Sequence, residues 1–434
     1  MKSNARRDSM NDILTIIMAG GRGERLMPLT RDRCKPAVPF GGIYRLIDIP
    51  LSNCVNSQLY KILVFTQYKS QSLVDHLEDG WNIFSGALGH FLRIVAPQQR
   101  LGEDWYRGTA DSVRQNLYLI ERERPRHVLI LSGDHVYKMD YSLFRKFHEE
   151  KDADVTVSLL EVDRATGSSF GIAEVDNDYR ICGFEEKPKD PKPMPDDPSR
   201  SLASMGIYFF KRDVLLRVLK ESDDEDFGRD IIPRLVREGR VYAYPYRRYN
   251  LIRDDVPVYD PEAGYCFKTQ NPTRDSTYWR DVGSLDAYWN ANMDLTGLSP
   301  FFNLYGRRWP MRGLQRQVPP AKFVVSRGDH AVQRTGTAKD SVVPHGCLIS
   351  GGIVRHSVLS YNVIVNSYAE VDESVIMDNV EIGHHCRIKK AIIDKDNVIP
   401  PYTEIGVSPQ EDRTRFVVTP RGITVVPRGA FPRV

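Results

Sequence analysis

The sequence predicts an α/β domain on a mostly parallel sheet, followed by a parallel β-helix of hexapeptide turns. Three observations carry that expectation. Short apolar runs alternate with helix-like stretches from residue 13 to about 245, which is the pattern of a parallel sheet covered by helices. The first of these runs ends abruptly in Gly20-Gly21-Arg22-Gly23. Beyond residue 300 apolar residues begin to recur at a period of six. With 434 residues, two or three domains are expected. We divide the chain into 1–296, a Gly-, Pro- and Arg-rich linker at 297–330, and a repeat domain at 331–434.

The first strand is Ile13 to Met18, apolar and partly β-branched, and its glycine turn brings free N–H groups close to an anion. Arg25 and Lys35 add fixed positive charge, while Pro28 and Pro36 stiffen the segment between them. The segment therefore reads as a triphosphate cradle. It is neither a P-loop nor the dinucleotide fingerprint GxGxxG, because Leu26 stands where that pattern needs its third glycine. Further strands are expected at 61–68, 127–137, 153–162 and 205–210, with covering helices at 141–151 and 212–220. A β-hairpin at 171–188 should turn at Asp176 to Asp178. Residues 246–278 read as a polar, irregular surface excursion near the site. In the repeat region Ile376, Ile382 and Ile388 form one line, and Val380, Cys386, Ile392 and Val398 another. A β-sandwich gives no reason for two such registered ladders.

Composition narrows the function classes. The apolar fraction of 41% suits a globular domain with a sizeable core. Sixty basic against 57 acidic residues leave a net charge of +3, too weak a field to argue for nucleic acid or an anionic membrane as partner. No apolar run reaches the roughly 20 residues of a membrane span, and the charged N-terminus carries no secretory pattern. The six cysteines are scattered without metal-ligand spacing, and a cytoplasmic location with free thiols is the expectation.

Two carboxylates stand where a sheet of this kind presents ligands. Asp134 follows the apolar strand Val128 to Leu131, and Asp281 precedes a helical stretch at Ser284 to Asn292, which it could also cap. Magnesium needs only one or two carboxylates besides substrate phosphates. In GFEEKP, Glu186 could accept sugar hydroxyls and Lys187 neutralise a phosphate, with Pro188 fixing the turn. Trp105-Tyr106-Arg107-Gly108 precedes small residues that let a ligand approach.

The pattern GGxGxRLxPLT, with KP ten residues after its arginine, resembles the sugar-1-phosphate nucleotidyltransferases. Within them, LSNCVNS, APQQR, WYRGTADSV, SGDHVYK, FEEKP, SLASMGIYFF, DFGRDIIP and YWRDVGSLDAYW resemble the bacterial glucose-1-phosphate adenylyltransferase family. The resemblance implies a Rossmann-like nucleotidyltransferase domain and a left-handed β-helix. It implies that Arg25, Lys35 and Asp134 are catalytic, and that Asp134 and Asp281 hold Mg²⁺. It assigns glucose 1-phosphate to Tyr106, Gly171, Glu186, Lys187 and Ser204, and ATP to Gly20, Gly21, Gly23, Gln98, Gln99, Gly108 and Thr109. It further implies a homotetramer making ADP-glucose for glycogen synthesis under sugar-phosphate or nucleotide effectors. Ile43 occupies the position where many members carry an activator-binding lysine, which leaves Arg45, Arg421 and Arg428 as the expected effector cations. Three other readings stay open: a β-helix acyltransferase with a histidine base among His345, His356, His384 and His385, a non-catalytic regulatory subunit of the same fold, and a nucleotidyltransferase acting on another nucleotide or sugar phosphate.

Overall fold

A computed structural model describes residues 10–98, 105–194, 196–326 and 334–433. The first strand, β1 (Ile13–Ala19), lies in the middle of a nine-stranded sheet because every one of its residues but Met18 is buried. On one side it pairs in parallel with β2 (Lys61–Thr66), and β2 with β3 (Phe91–Val95). On its other side lies β4 (His127–Ser132), also parallel. The chain leaves β4 through Gly133, where a Cβ would sit 2.9 Å from the Met18 carbonyl, so the turn is closed to any other residue. It then forms the short strand β5 (His135–Tyr137), so the expected 127–137 strand is in fact two.

Beyond β4 the sheet changes sense. Strand β6 (Val155–Asp163) and the expected hairpin, β7 (Gly171–Val175) with β8 (Ile181–Glu186), both attach to the long β9 (Arg200–Lys211). Asp176 accepts the N–H groups of Asp178 and Arg180 and so makes the turn of that hairpin. Strand β9 runs antiparallel to β4, β6 and β7, and β10 (Val241–Pro245) returns parallel to β6. The order β3-β2-β1-β4 reverses direction between β1 and β4. Their carboxyl ends flank the crevice where open α/β sheets bind ligands. Alternate residues of β1 serve two cores, Ile13 and Ile17 on one face and Leu14 and Ile16 on the other.

Residues 246–278 depart from the expected irregular excursion. They form an antiparallel pair, β11 (Asp254–Asp260) with β12 (Gly264–Gln270), and none of them lines the cleft described below. The base is core: Lys138, Asp254 and Asp275 are buried together, with Lys138 Nζ 2.6 Å from Asp275. Pro257 is tolerated because the pair has only one ladder to satisfy. A last short strand, β13 (Trp279–Asp281), pairs with β5 and sets Asp281 opposite His135. The following helix, Leu285–Met293, is capped by Ser284 rather than by Asp281.

The segment expected as a linker is packed. Trp309 is buried with its indole N–H on Asn53, and Arg312 N–H bonds to Ser52, so the strap crosses the helix Asp48–Asn56. Gly, Pro and Arg there signal the absence of regular structure, not of packing. The C-terminal domain starts before residue 331, since Lys322–Ser326 already pairs with Leu348–Ser350. From there three parallel sheets wind a left-handed β-helix. Equivalent residues on one face stand 17 positions apart, as in Asn379 and Asp396. Ile376, Ile382 and Ile388 fall on three successive faces and all point inward, which is why a period of six appears in the sequence. Val398 is only half-buried, and Ile399 takes the interior place. The β-helix docks on the first domain through Met377, Ile392 and Val425, the buried pair Arg33–Asp394 at 2.9 Å, and a Trp289 indole bond to the Glu373 carbonyl. Among the described residues no helix is long and apolar enough to cross a membrane.

Candidate active site

A cleft of about 660 Å³ opens at the carboxyl ends of β1 and β4. The sheet order puts it there, as the glycine turn leaves β1 and Asp134 leaves β4. Its wall includes Gly20, Gly21, Gly23, Arg25, Lys35 and Asp134, all expected from the sequence, together with Tyr106, Gly108 and Thr109 from the opposite side. Gly23 has φ of +67°, in the left-handed region, and its carbonyl accepts the Thr30 hydroxyl at 2.8 Å, which closes the loop on itself.

The floor carries the densest charge. Lys35 sits in a short 3₁₀ turn with its ammonium 2.6 Å from Asp134 and 3.4 Å from Asp281. Burial opposes the charged lysine, yet the two aspartates hold its ammonium above the ordinary lysine value. Burial likewise works against ionised Asp134, but Lys35, His135 and the Ser132 hydroxyl outweigh it and keep the carboxylate ionised. His135 Nε2 lies 3.6 Å from Asp134 and 3.8 Å from Asp281. Arg25 is exposed, its guanidinium near Gly283 beside the Asp281 carboxylate.

Both aspartates reach one ammonium, so their nearest oxygens lie within about 6 Å of each other. Two carboxylates that face one cation are the kind of oxygen donors a hard divalent ion takes. Among the described residues no cluster of three or more His, Cys, Asp or Glu is arranged to enclose a metal by protein ligands alone.

A second cluster flanks the cleft. Glu186, at the end of β8, is confined by two glycines: a Cβ on Gly171 or on Gly228 would each come within 2.6 Å of its Oε2. Burial raises the Glu186 carboxyl, Lys187 opposes this from 3.4 Å, and Asp226 adds to it. Ser204 lies at a β-bulge of β9 and accepts the Gly206 N–H at 3.2 Å; Gly206 in turn approaches His135 and Ser132, which ties the flank to the floor.

Other expected residues fall differently. Tyr106 lines the cleft wall beside Gly108 and Thr109, and its hydroxyl is engaged inside by Asn116 at 2.8 Å. Gln98 is exposed away from the cleft wall, and Gln99 lies outside the described residues. Arg45 and Arg428 both act on the half-buried Lys395, together with Arg33, at the junction of the domains. Arg421 stands apart on an exposed turn. His384 and His385 are exposed on a β-helix corner, where His385 stacks on Tyr402 with ring centroids 4.9 Å apart, and they do not meet His345 or His356 in a catalytic pair. Sequence reasoning missed Arg22, Gln67, Tyr68 and Ser112 on the cleft wall and Asp226 beside it. Only Asp226 had a local signal, its N-cap position before Gly228 and Arg229.

Comparison with known proteins agrees with this geometry. The model of the nucleotidyl transferase family matches residues 14–297, and that of the GlmU-like C-terminal hexapeptide matches 319–426. The chain is 48% identical to the glucose-1-phosphate adenylyltransferase of Rhodopirellula baltica, over 97% of this chain and 91% of that one. It is also 48% identical to those of Koribacter versatilis, covering 96% of each chain, and Methylococcus capsulatus, covering 95% and 92%. Identity of 48% over nearly the whole length, together with the nucleotidyl transferase match over residues 14–297, places the chain, with the cleft just described, in the glucose-1-phosphate adenylyltransferase family of nucleotidyl transferases.

Proposed function

We propose that the protein transfers the adenylyl group of ATP to α-D-glucose 1-phosphate, releasing ADP-glucose and pyrophosphate. The observation that carries this reading is the Lys35–Asp134–Asp281 constellation at the floor of a cleft whose rim is the glycine turn and Arg25. A phosphate monoester is already a competent nucleophile at neutral pH. Its oxygen attacks the α-phosphorus in line, a new P–O bond forms, the α–β bridging bond breaks, and pyrophosphate departs without a general base. Positioning and charge neutralisation then supply the rate. The loop amides and Arg25 orient the triphosphate, Lys35 neutralises charge developing at the α-phosphate, and Glu186 with Lys187 holds the sugar phosphate. Asp134 and Asp281 would hold Mg²⁺, which when bound supplies Lewis-acid stabilisation of the phosphate oxygens.

Family membership extends the reading to a cytoplasmic homotetramer that feeds glycogen synthesis under allosteric control by sugar phosphates or nucleotides. Against a non-catalytic subunit stands the full retention of Arg25, Lys35, Asp134, Lys187 and Asp281. Pyrophosphate release measured over a matrix of nucleoside triphosphates and sugar 1-phosphates tests the proposal. ATP with glucose 1-phosphate should be the fastest pair; activity confined to UTP or dTTP would overturn the adenylyl assignment.

A further inference from the structure

Two segments far apart in the chain meet beside the cleft. Residues 105–112 put Tyr106, Gly108 and Thr109 on the nucleotide wall, and residues 225–231 form the turn that touches Glu186. The N–H groups of Ala110 and Asp111 donate to the Glu225 carbonyl at 2.8 and 3.2 Å, and Arg107 reaches the Glu225 carboxylate at 3.4 Å. These bonds hold the segments side by side, but none of them reaches the Asp226 side chain.

Thr109 ties that side chain, and the turn it caps, to the cleft wall. Asp226 Oδ1 accepts the N–H groups of Gly228 and Arg229 at 2.9 and 3.0 Å, while Oδ2 accepts the Thr109 hydroxyl at 3.0 Å. The same hydroxyl accepts the Phe227 N–H at 3.1 Å. A threonine has one hydroxyl proton, and here it is committed to Asp226. Gly228, the next link, is pressed so closely on Glu186 that any shift of the turn moves the space available to that carboxylate.

We propose that Thr109, although it stands on the nucleotide wall, is a positioning residue for the sugar-phosphate half of the site: its hydroxyl latches the Asp226–Gly228 turn that confines Glu186. The kinetic part of its test rests on the adenylyl-transfer reading; the structural part does not. Thr109→Val keeps the side-chain shape without the hydroxyl, and Thr109→Ser keeps the hydroxyl. In the full-length enzyme, Thr109→Val should raise KM for glucose 1-phosphate roughly fivefold or more, the loss expected for one hydrogen bond to a carboxylate, and leave KM for ATP within about twofold. Amide hydrogen exchange at Phe227, Gly228 and Arg229 should quicken in the ligand-free variant, and Thr109→Ser should restore both readouts. A rise confined to KM for ATP would make Thr109 a nucleotide contact and overturn the proposal, as would an unchanged KM for glucose 1-phosphate. Should the parent enzyme not use ATP and glucose 1-phosphate at all, the functional reading falls by itself. The exchange rates of the two variants then decide the latch: quickened exchange reversed by serine upholds it, and unchanged exchange overturns it.

Discussion

At the floor of the cleft, Lys35 on a short 3₁₀ turn faces Asp134, which follows β4, and Asp281, at the end of β13. On the flank, Glu186 is held by the bare backbones of two glycines and a turn from a later segment. The floor is organised by charge: Lys35 and Asp134 keep one another ionised against burial, so the loss of either unbalances the other. The flank is organised by shape, with Gly171 and Gly228 leaving room for one carboxylate position. Substitutions on the floor should therefore act on the chemical step, and those on the flank on sugar-phosphate binding.

The comparison breaks most easily at Lys35. Lys35→Gln should lower kcat by about 10² to 10³, in the range of lost preorganised electrostatic donors, with KM for glucose 1-phosphate little changed. Steady-state kinetics with both substrates reads this directly, and a pure KM effect would erase the distinction between floor and flank. A β-helix substitution provides the contrast with a region that holds none of the reacting groups. Ile382→Ala, which empties an inward position, should cost about 2–4 kcal/mol in denaturant unfolding while kcat at room temperature stays near the parent value.

On the flank, Glu186→Gln should raise KM for glucose 1-phosphate about tenfold while kcat falls less. Gly228→Ala should act in the same direction, because its new Cβ would press on Glu186. A separate effect, on stability and not on catalysis, is a pH dependence from the far end of the strand that leads to Asp134. His127 is buried beside Arg126, Arg145 and Lys211, and burial with those charges pushes its imidazole down to about 3; its neighbour His148 is lowered too. Between pH 6.5 and 3 the unfolded chain takes up protons that the folded chain refuses. Stability is thus fully present above about pH 6.5 and falls with acid by up to about 1.4 kcal/mol per unit for each histidine. Urea midpoints between pH 7.5 and 5 measure it, and His127→Phe, which can keep the ring contact with Phe209, should flatten part of the slope.

What was legible in the sequence follows from how local each signal is. The glycine turn and Asp134 could be read because an apolar strand ends directly at each or close before it, and Lys35 because it follows that turn at a fixed spacing from Arg25. The hexapeptide ladder was legible because every coil repeats the same inward positions. Residues 246–278 misled because Val256, Val258, Tyr265 and Phe267 alternate weakly among prolines and charges, and the ion pair that anchors them comes from Lys138, more than a hundred residues earlier. Ser284, not Asp281, caps the helix, a choice set by the pairing of β13 with β5 that no local pattern announces. The Thr109–Asp226 bond spans 117 positions and leaves no trace in either segment.

The central claim is that Asp134, paired with Lys35 and Asp281, organises nucleotidyl transfer. Its most direct test is pyrophosphate release from ATP and glucose 1-phosphate as a function of Mg²⁺ concentration, for the parent protein and Asp134→Asn. The variant should lose about 10² or more in kcat and need a higher Mg²⁺ concentration. Full activity of Asp134→Asn with an unchanged Mg²⁺ profile would contradict the claim.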